Sequence, residues 1–247
     1  MMQKAIRFTV GGRNALFKMP DVNSNTYYTY NNIHKIALLG MLGAILGLSG
    51  LKNYKLFNEK ERVFPEFYEK LNKLSVSIVP LASKGYFPKK IQYFNNSVGY
   101  ASQEKGGNLQ VFEQWLENPE WDIYLKNDGV DLNLWEQMIK MLLEGECVYL
   151  PYLGKNDFPA GISKPKLLDL QTVSSSHCHS IFIGKLSQLD NNETFDRKQP
   201  YYFTEYAPVA LQPKINFYIL EQTIFTNCMI NGIENVYTDG ERMLYFI

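Results

Sequence analysis

Apolar and polar positions alternate almost from the start of the chain. In Gln3–Val10, Ala5, Phe8 and Val10 interleave with Lys4, Arg7 and Thr9, with Ile6 out of phase, which predicts a strand with one face in a core. Gly11-Gly12 ends it. Residues 11–32 form a polar, aromatic-rich connection, and loops this long in a compact domain are usually functional. Ile33–Leu48 (IHKIALLGMLGAILGL) then reads as a helix that Asn31 or Asn32 can cap. Gly40, Gly43 and Gly47 fall on one face of it. Each glycine costs roughly 1 kcal/mol against alanine in a helix interior, so close approach of the helix backbone to a sheet is expected.

Residues 49–72 read as a charged connector with some helix, and Lys73–Leu81 alternates as a second strand. Leu109–Leu116 and Trp121–Lys126 read as a strand or bent strand, interrupted at Asn118-Pro119. Asp131–Glu144 is an amphipathic helix with a stripe of Leu134, Trp135, Met138, Met141 and Leu142, ended by Gly145. Cys147–Leu150 reads as the fourth strand. The order predicts an α+β chain whose residues 1–165 form a ferredoxin-like, RRM-like βαββαβ domain. Short β-like runs at Leu167–Val173, Ser180–Ile183, Tyr201–Tyr206 and Phe217–Phe225 predict a small β-rich C-terminal subdomain over residues 166–247, with residues 185–200 as a polar surface loop.

One insertion stands out. Residues 83–108 separate two strands that should be hairpin partners, where two to five residues would suffice. The insertion interleaves Tyr86, Phe87, Tyr93, Phe94 and Tyr100 with Lys84, Lys89 and Lys90. Cations for phosphate and rings for bases are the composition of a finger that grips nucleic acid; packing on a protein partner is the alternative.

Charge sharpens this reading. The formal net charge is +0, but residues 1–58 carry seven Lys+Arg and one acid, whereas residues 111–247 carry 10 basic and 19 acidic residues. A basic part joined to an acidic part fits a protein that touches a polyanion on one side and proteins on the other. The longest apolar run, Ile36–Leu48, is shorter than the roughly 18 residues of a membrane span. No secretory signal is read at the N-terminus, and the 3 Cys form no disulfide framework, so a reducing cytoplasm is expected. His177-Cys178-His179 resembles a metal fragment, but adjacent side chains rarely converge on one ion, and neither a metal site nor a cofactor is expected.

No P-loop, GxSxG or HExxH motif is present. Arg7, Arg13, Lys18 and Lys35 are candidate phosphate partners, with His34 and Lys35 at a helix N-terminus that itself favours anions. Tyr28 and Tyr30 are candidate stacking residues, and Lys89, Lys90 and Tyr93 are candidates to hold RNA from the insertion. His34 with Tyr27, Tyr28 or Tyr30 and Lys35 could also cleave RNA without metal by activating a 2′-hydroxyl. A purely structural adaptor, its basic regions serving acidic proteins, is the third reading.

Three stretches resemble the CRISPR-associated Cas-five family, RAMP-type subunits of type I Cascade complexes: the N-terminal strand with IHKIALLGMLGAILGL, FEQWLENPEWDIYL, and CVYLPYLGKNDFPAGI. The resemblance spans residues 1 to about 165 and looks closest to subtype I-B. It implies an RRM-like domain with a thumb at residues 83–108 that caps the 5′ handle of crRNA. It also implies contacts to the backbone and large subunits, and to target DNA only through the complex. The subunit would have no catalytic residues and no membrane association. In a related branch the family member cuts precursor RNA with Tyr, Lys and His, but a Lys-His pair downstream of the second strand is missing here.

Overall fold

The structure, a computed structural model, describes residues 2–20, 26–50, 63–95, 99, 103, 105 and 109–247. In chain order its elements begin with β1 (Met2–Gly11), β2 (Asn14–Ala15), β3 (Thr26–Tyr27), α1 (Lys35–Leu46), α2 (Glu66–Leu71), β4 (Leu74–Pro80), β5 (Lys89–Asn95), β6 (Gln110–Glu117), β7 (Glu120–Asn127) and α3 (Leu132–Glu144). They continue with β8 (Gly161–Val173), β9 (Phe182–Ile183), β10 (Leu189–Thr194), β11 (Tyr202–Leu211), β12 (Tyr218–Thr226), β13 (Cys228–Ile230), β14 (Val236–Thr238) and β15 (Met243–Tyr245).

The central sheet is antiparallel and runs β15-β14-β8-β1-β7-β4. Successive side chains of a strand point to opposite faces. Ile6, Phe8 and Val10 of β1, Val76 and Ile78 of β4, and Ile123 and Leu125 of β7 share one core with Leu38, Leu42 and Ile45 of α1 and Trp135, Met138 and Leu142 of α3. α1 is apolar around its circumference because it is covered on several sides, contacting α2, α3 and β11 as well as lying over the sheet. Among the described residues, no helix is long and apolar enough to cross a membrane.

Four expectations change. The glycine face of α1 meets not a sheet but Phe67 of α2: a Cβ on Gly43 would lie 2.6 Å from the Phe67 Cβ. The cap of α1 is neither Asn31 nor Asn32; His34 Nδ1 accepts from the Ala37 N–H at 3.2 Å. Cys147–Leu150 is not a strand. Its backbone instead serves the C-terminal turn of α1, with Val148 N–H donating to the Ile45 carbonyl at 2.9 Å and Tyr149 N–H to that of Ala44 at 3.1 Å. The strand that follows α3 is β8, whose alternation is interrupted by a register shift opposite Arg7 and Thr9.

The boundary expected at 165/166 falls inside β8, and β14 and β15 extend the same central sheet. Ser180–Ile183, Tyr201–Tyr206 and Phe217–Phe225 correspond to β9, β11 and β12, which pair in the order β11-β12-β9. The surface loop at 185–200 contains β10, which pairs with β13. Much of the 49–72 connector and part of the 83–108 insertion, including Tyr100, lie outside the described residues.

Candidate nucleic-acid interface

The face of the central sheet opposite the helices is not open to bases at its centre. Asp122 sits there buried, with the Thr9 hydroxyl donating to it at 2.6 Å, Arg7 at 3.0 Å and Arg242 at 2.6 Å. Burial pushes this carboxyl up, but the Thr9 and Arg242 hydrogen bonds and the two guanidiniums outweigh it and hold Asp122 below the usual carboxylate range. Tyr124 donates to Asp239 at 3.0 Å, and the Lys126 ammonium lies 4.7 Å from the Tyr237 ring centroid and 5.5 Å from that of Phe246. The C-terminal hairpin thereby closes over the sheet. Arg7, a sequence candidate, is engaged in this network.

A second sheet is open. β5 pairs antiparallel with β6 along its whole length, so the first part of the insertion is a strand of a hairpin rather than a loop. β3 pairs parallel to β6 on the other edge, with Thr26 opposite Phe112 and Tyr27 opposite Glu113. On one face, Tyr93 and Phe112 are register partners whose ring centroids lie 4.6 Å apart. They are 50% and 37% exposed, beside Ile91 at 54%. Tyr28, just beyond β3, is 38% exposed. The loop after β1 and the insertion, separate in sequence, thus flank β6 in one sheet.

The reverse face is sealed. Glu113 is buried, accepts from Trp115 Nε1 at 2.7 Å and pairs with Lys155 at 2.9 Å. The Lys155 ammonium also lies 5.0 Å from the Phe94 ring centroid. The loop carrying Lys155 and buried Phe158 therefore packs on this side, and among the described residues the Tyr93 side is left open.

The other candidates separate into available and occupied groups. Arg13 and Lys18 are exposed, the Lys18 ammonium 3.6 Å from the Tyr27 ring centroid. Lys90 pairs with Glu117 at 3.3 Å, and Lys89 lies 5.7 Å from the Tyr86 ring centroid, its pKa lowered by burial and partly restored by Glu205. Lys35 donates to the Ile247 carbonyl at 3.0 Å and burial lowers its pKa, with Asp128 opposing.

Two expectations fail outright. Tyr30 is 1% exposed and cannot stack on a base. His34 is buried between the rings of Phe17, Tyr30 and Tyr218, and desolvation drops its pKa to about 3. Its Nδ1 is committed to the cap, so it neither charges to hold a phosphate nor reaches a 2′-hydroxyl. The His177 and His179 rings flank Phe195 at 4.7 and 4.9 Å, and the described residues contain no group of three metal-ligating side chains.

Sequence reasoning missed Phe112 as a site residue. It lies in an apolar strand next to a glutamate, and periodicity places the aromatic inside and the carboxylate outside; the structure does the reverse.

No family model matches the chain, and no curated protein is similar to it in sequence. Among solved structures, a chain of a CRISPR RNA-guided surveillance complex is similar over 92% of this chain and 90% of its own length, at 11% identity and a TM-score of 0.50. A CRISPR protein from Archaeoglobus fulgidus aligns over 98% and 97%, at 10% identity and a TM-score of 0.47. A chain of the Type III-B Cmr-beta complex bound to cognate target RNA and AMPPnP aligns over 96% and 85%, at 11% identity and a TM-score of 0.45. The first of these establishes a shared fold: this chain has the mixed α+β, strand-rich fold of a CRISPR surveillance-complex protein.

Proposed function

We propose that this protein is a non-catalytic, RNA-binding subunit of a type I CRISPR effector of the Cas-five kind. In this reading it caps the 5′ handle of crRNA in the cytoplasm and bridges the backbone and large subunits. The observation that carries the proposal is the exposed Tyr93–Phe112 ring pair on the β5-β6 hairpin, with exposed Tyr28 just beyond the neighbouring β3. Rings held at a sheet surface with one side solvated are the platform on which unpaired bases stack, at roughly 1–3 kcal/mol per base. Lys18, its ammonium 3.6 Å from the Tyr27 ring centroid, supplies a cation beside β3 for the phosphates. The strand order β8-β1-β7-β4, with α1 and α3 over one face, supports the ferredoxin-like arrangement of such subunits. The burial of His34 supports the non-catalytic reading over cleavage by that residue.

The test is fluorescence anisotropy with a labelled 5′-handle RNA and a scrambled RNA of equal composition, alongside a Tyr93→Ala/Phe112→Ala variant. The expected result is preference for the handle and a loss of about tenfold or more in the variant, one stacked base being worth roughly 1–3 kcal/mol. Equal binding of both RNAs overturns the handle assignment, and an unaffected variant overturns the stacking surface. Labelled repeat RNA incubated with the protein in a chelator should stay intact; a discrete cut makes it the processing endoribonuclease instead.

A further inference from the structure

β5 stands at the edge of its sheet, and its outer side is regular and unguarded. Beside its first residue, the Glu117 N–H donates to the Pro88 carbonyl at 2.9 Å. Bonded and non-bonded pairs alternate along an antiparallel ladder, so this bond fixes the phase of the hairpin. Lys90, Gln92 and Phe94 turn their N–H and C=O groups toward β6, where Trp115, Glu113 and Val111 are their register partners. Ile91 and Tyr93 therefore turn theirs away from β6, and among the described residues no strand pairs with that side.

The edges of the central sheet are covered by the chain itself. On β4, Val76 exchanges two backbone hydrogen bonds with Ile247, at 3.1 and 2.8 Å, and the Ile78 carbonyl accepts from the Ile181 N–H at 2.9 Å. On β15, the Tyr245 N–H donates to the Ser180 hydroxyl at 2.8 Å and the Met243 N–H to His179 Nδ1 at 2.9 Å. Proteins also blunt an exposed edge with proline, a bulge or charge along the strand. β5 has 7 residues, no proline and no register shift against β6, and its lysines occupy only the first two positions. Beyond them Ile91 and Tyr93 are 54% and 50% exposed. An edge of this kind is a template for another strand.

β5 is also complementary to itself. Two copies laid antiparallel over the full strand set Gln92 opposite Gln92 on a two-fold axis, Ile91 opposite Tyr93, Lys90 opposite Phe94 and Lys89 opposite Asn95. Ile91 and Tyr93, whose amides point outward, then fall in bonded positions, and each pair exchanges both of its hydrogen bonds. No lysine faces a lysine. The two-fold pairing consumes both β5 edges, so the assembly closes at two chains.

We propose that the protein pairs with a second copy of itself through β5, joining two hairpins into one continuous sheet. The inference does not depend on the RNA-binding reading: the strands join at the edge of the sheet, and the Tyr93–Phe112 rings stay on its face. One strand pair is a small interface, so the dimer forms and dissociates with concentration. Sedimentation equilibrium from the low to the high micromolar range should show the mass rise from one chain to two. Ile91→Pro removes an outward N–H and no bond to β6, so it should keep the circular-dichroism spectrum of the wild type and stay at one chain. With exposed Cys147 replaced by Ser, Gln92→Cys should form an intermolecular disulfide on mild oxidation, because a non-bonded pair brings its Cα atoms to about 4.5 Å. Lys90→Cys, whose two copies stand apart in this register, should not. A mass of one chain throughout overturns the proposal, as does a dimer that Ile91→Pro leaves intact or that Gln92→Cys fails to cross-link. Growth beyond two chains, or cross-linking through Lys90→Cys, overturns the two-fold register.

Discussion

The glycine face of α1 gives a quantitative test of how this fold is packed. Gly40 and Gly43 sit one turn apart on the same helix face, over the same side chain. A Cβ at Gly40 would meet the Phe67 ring edge at 3.9 Å, ordinary contact; a Cβ at Gly43 would lie 2.6 Å from the Phe67 Cβ and 3.4 Å from its Cγ. The Phe67 Cβ is fixed to the backbone of α2, so no rotamer change relieves the overlap and α2 must move. Both alanine variants gain the same helix propensity, roughly 1 kcal/mol. Only Gly43→Ala carries the overpacking cost, about 1–3 kcal/mol. The propensity gain cancels between the two, so Gly43→Ala should be less stable than Gly40→Ala by about 1–3 kcal/mol. At roughly 2–4 °C per kcal/mol for a chain of this size, the midpoints should differ by several degrees. Thermal and urea melts followed by circular dichroism read the difference directly. A Gly43→Ala protein as stable as Gly40→Ala would refute the close approach of α1 to α2.

Three further outcomes follow from individual groups. Burial raises the Glu205 carboxyl from 4.5 to about 7 against the Asn31 N–H and Lys89. The folded state therefore holds a proton the unfolded state has released, and stability should fall as pH rises from 4.5 through 7. Glu205→Gln should flatten that slope in urea melts across the interval. His34 has the opposite sign: its pKa is lowered from 6.5 to about 3, so its contribution is intact above 6.5 and lost as pH falls toward 3. His34→Asn keeps a capping acceptor without the titration, so its stability should depend less steeply on acid over that range. Arg13→Ala should weaken RNA binding about equally for all sequences and reduce the slope of log affinity against log salt by about one, measured by anisotropy at several salt concentrations.

Local pattern was enough to find most of the elements. The alternation of Gln3–Val10 and Lys73–Leu81 marks β1 and β4, and the stripe of Leu134, Trp135, Met138 and Leu142 with Asp131 and Gly145 at its ends marks α3. These signals survive because each lies on a regular element with one buried face. Cys147–Leu150 carries the same apolar signal, yet it is spent in the open, where Val148 is 56% and Leu150 80% exposed, because its backbone is needed at the end of α1.

The candidate interface was legible only in parts. Aromatic and basic content singled out Tyr28, Tyr93 and Arg13, but composition cannot tell Tyr28 from Tyr30. Two residues apart in the chain, they differ only in what the fold stacks over them: the Tyr30 ring packs beside His34 in the core, while Tyr28 stays at the surface.

The sequence by itself determined β1, α1, β4 and α3, the basic character of the first part, and an apolar helix too short to span a bilayer. All three depend on neighbours within a few residues. Tertiary structure decided which strand joined which sheet, whether a given ring faced solvent, and whether a cation was free. Those outcomes depend on pairings more than a hundred residues apart, such as Arg242 with Asp122 and Glu205 with Asn31. No local pattern encodes such pairings, because burial and charge compensation are properties of the whole packed chain.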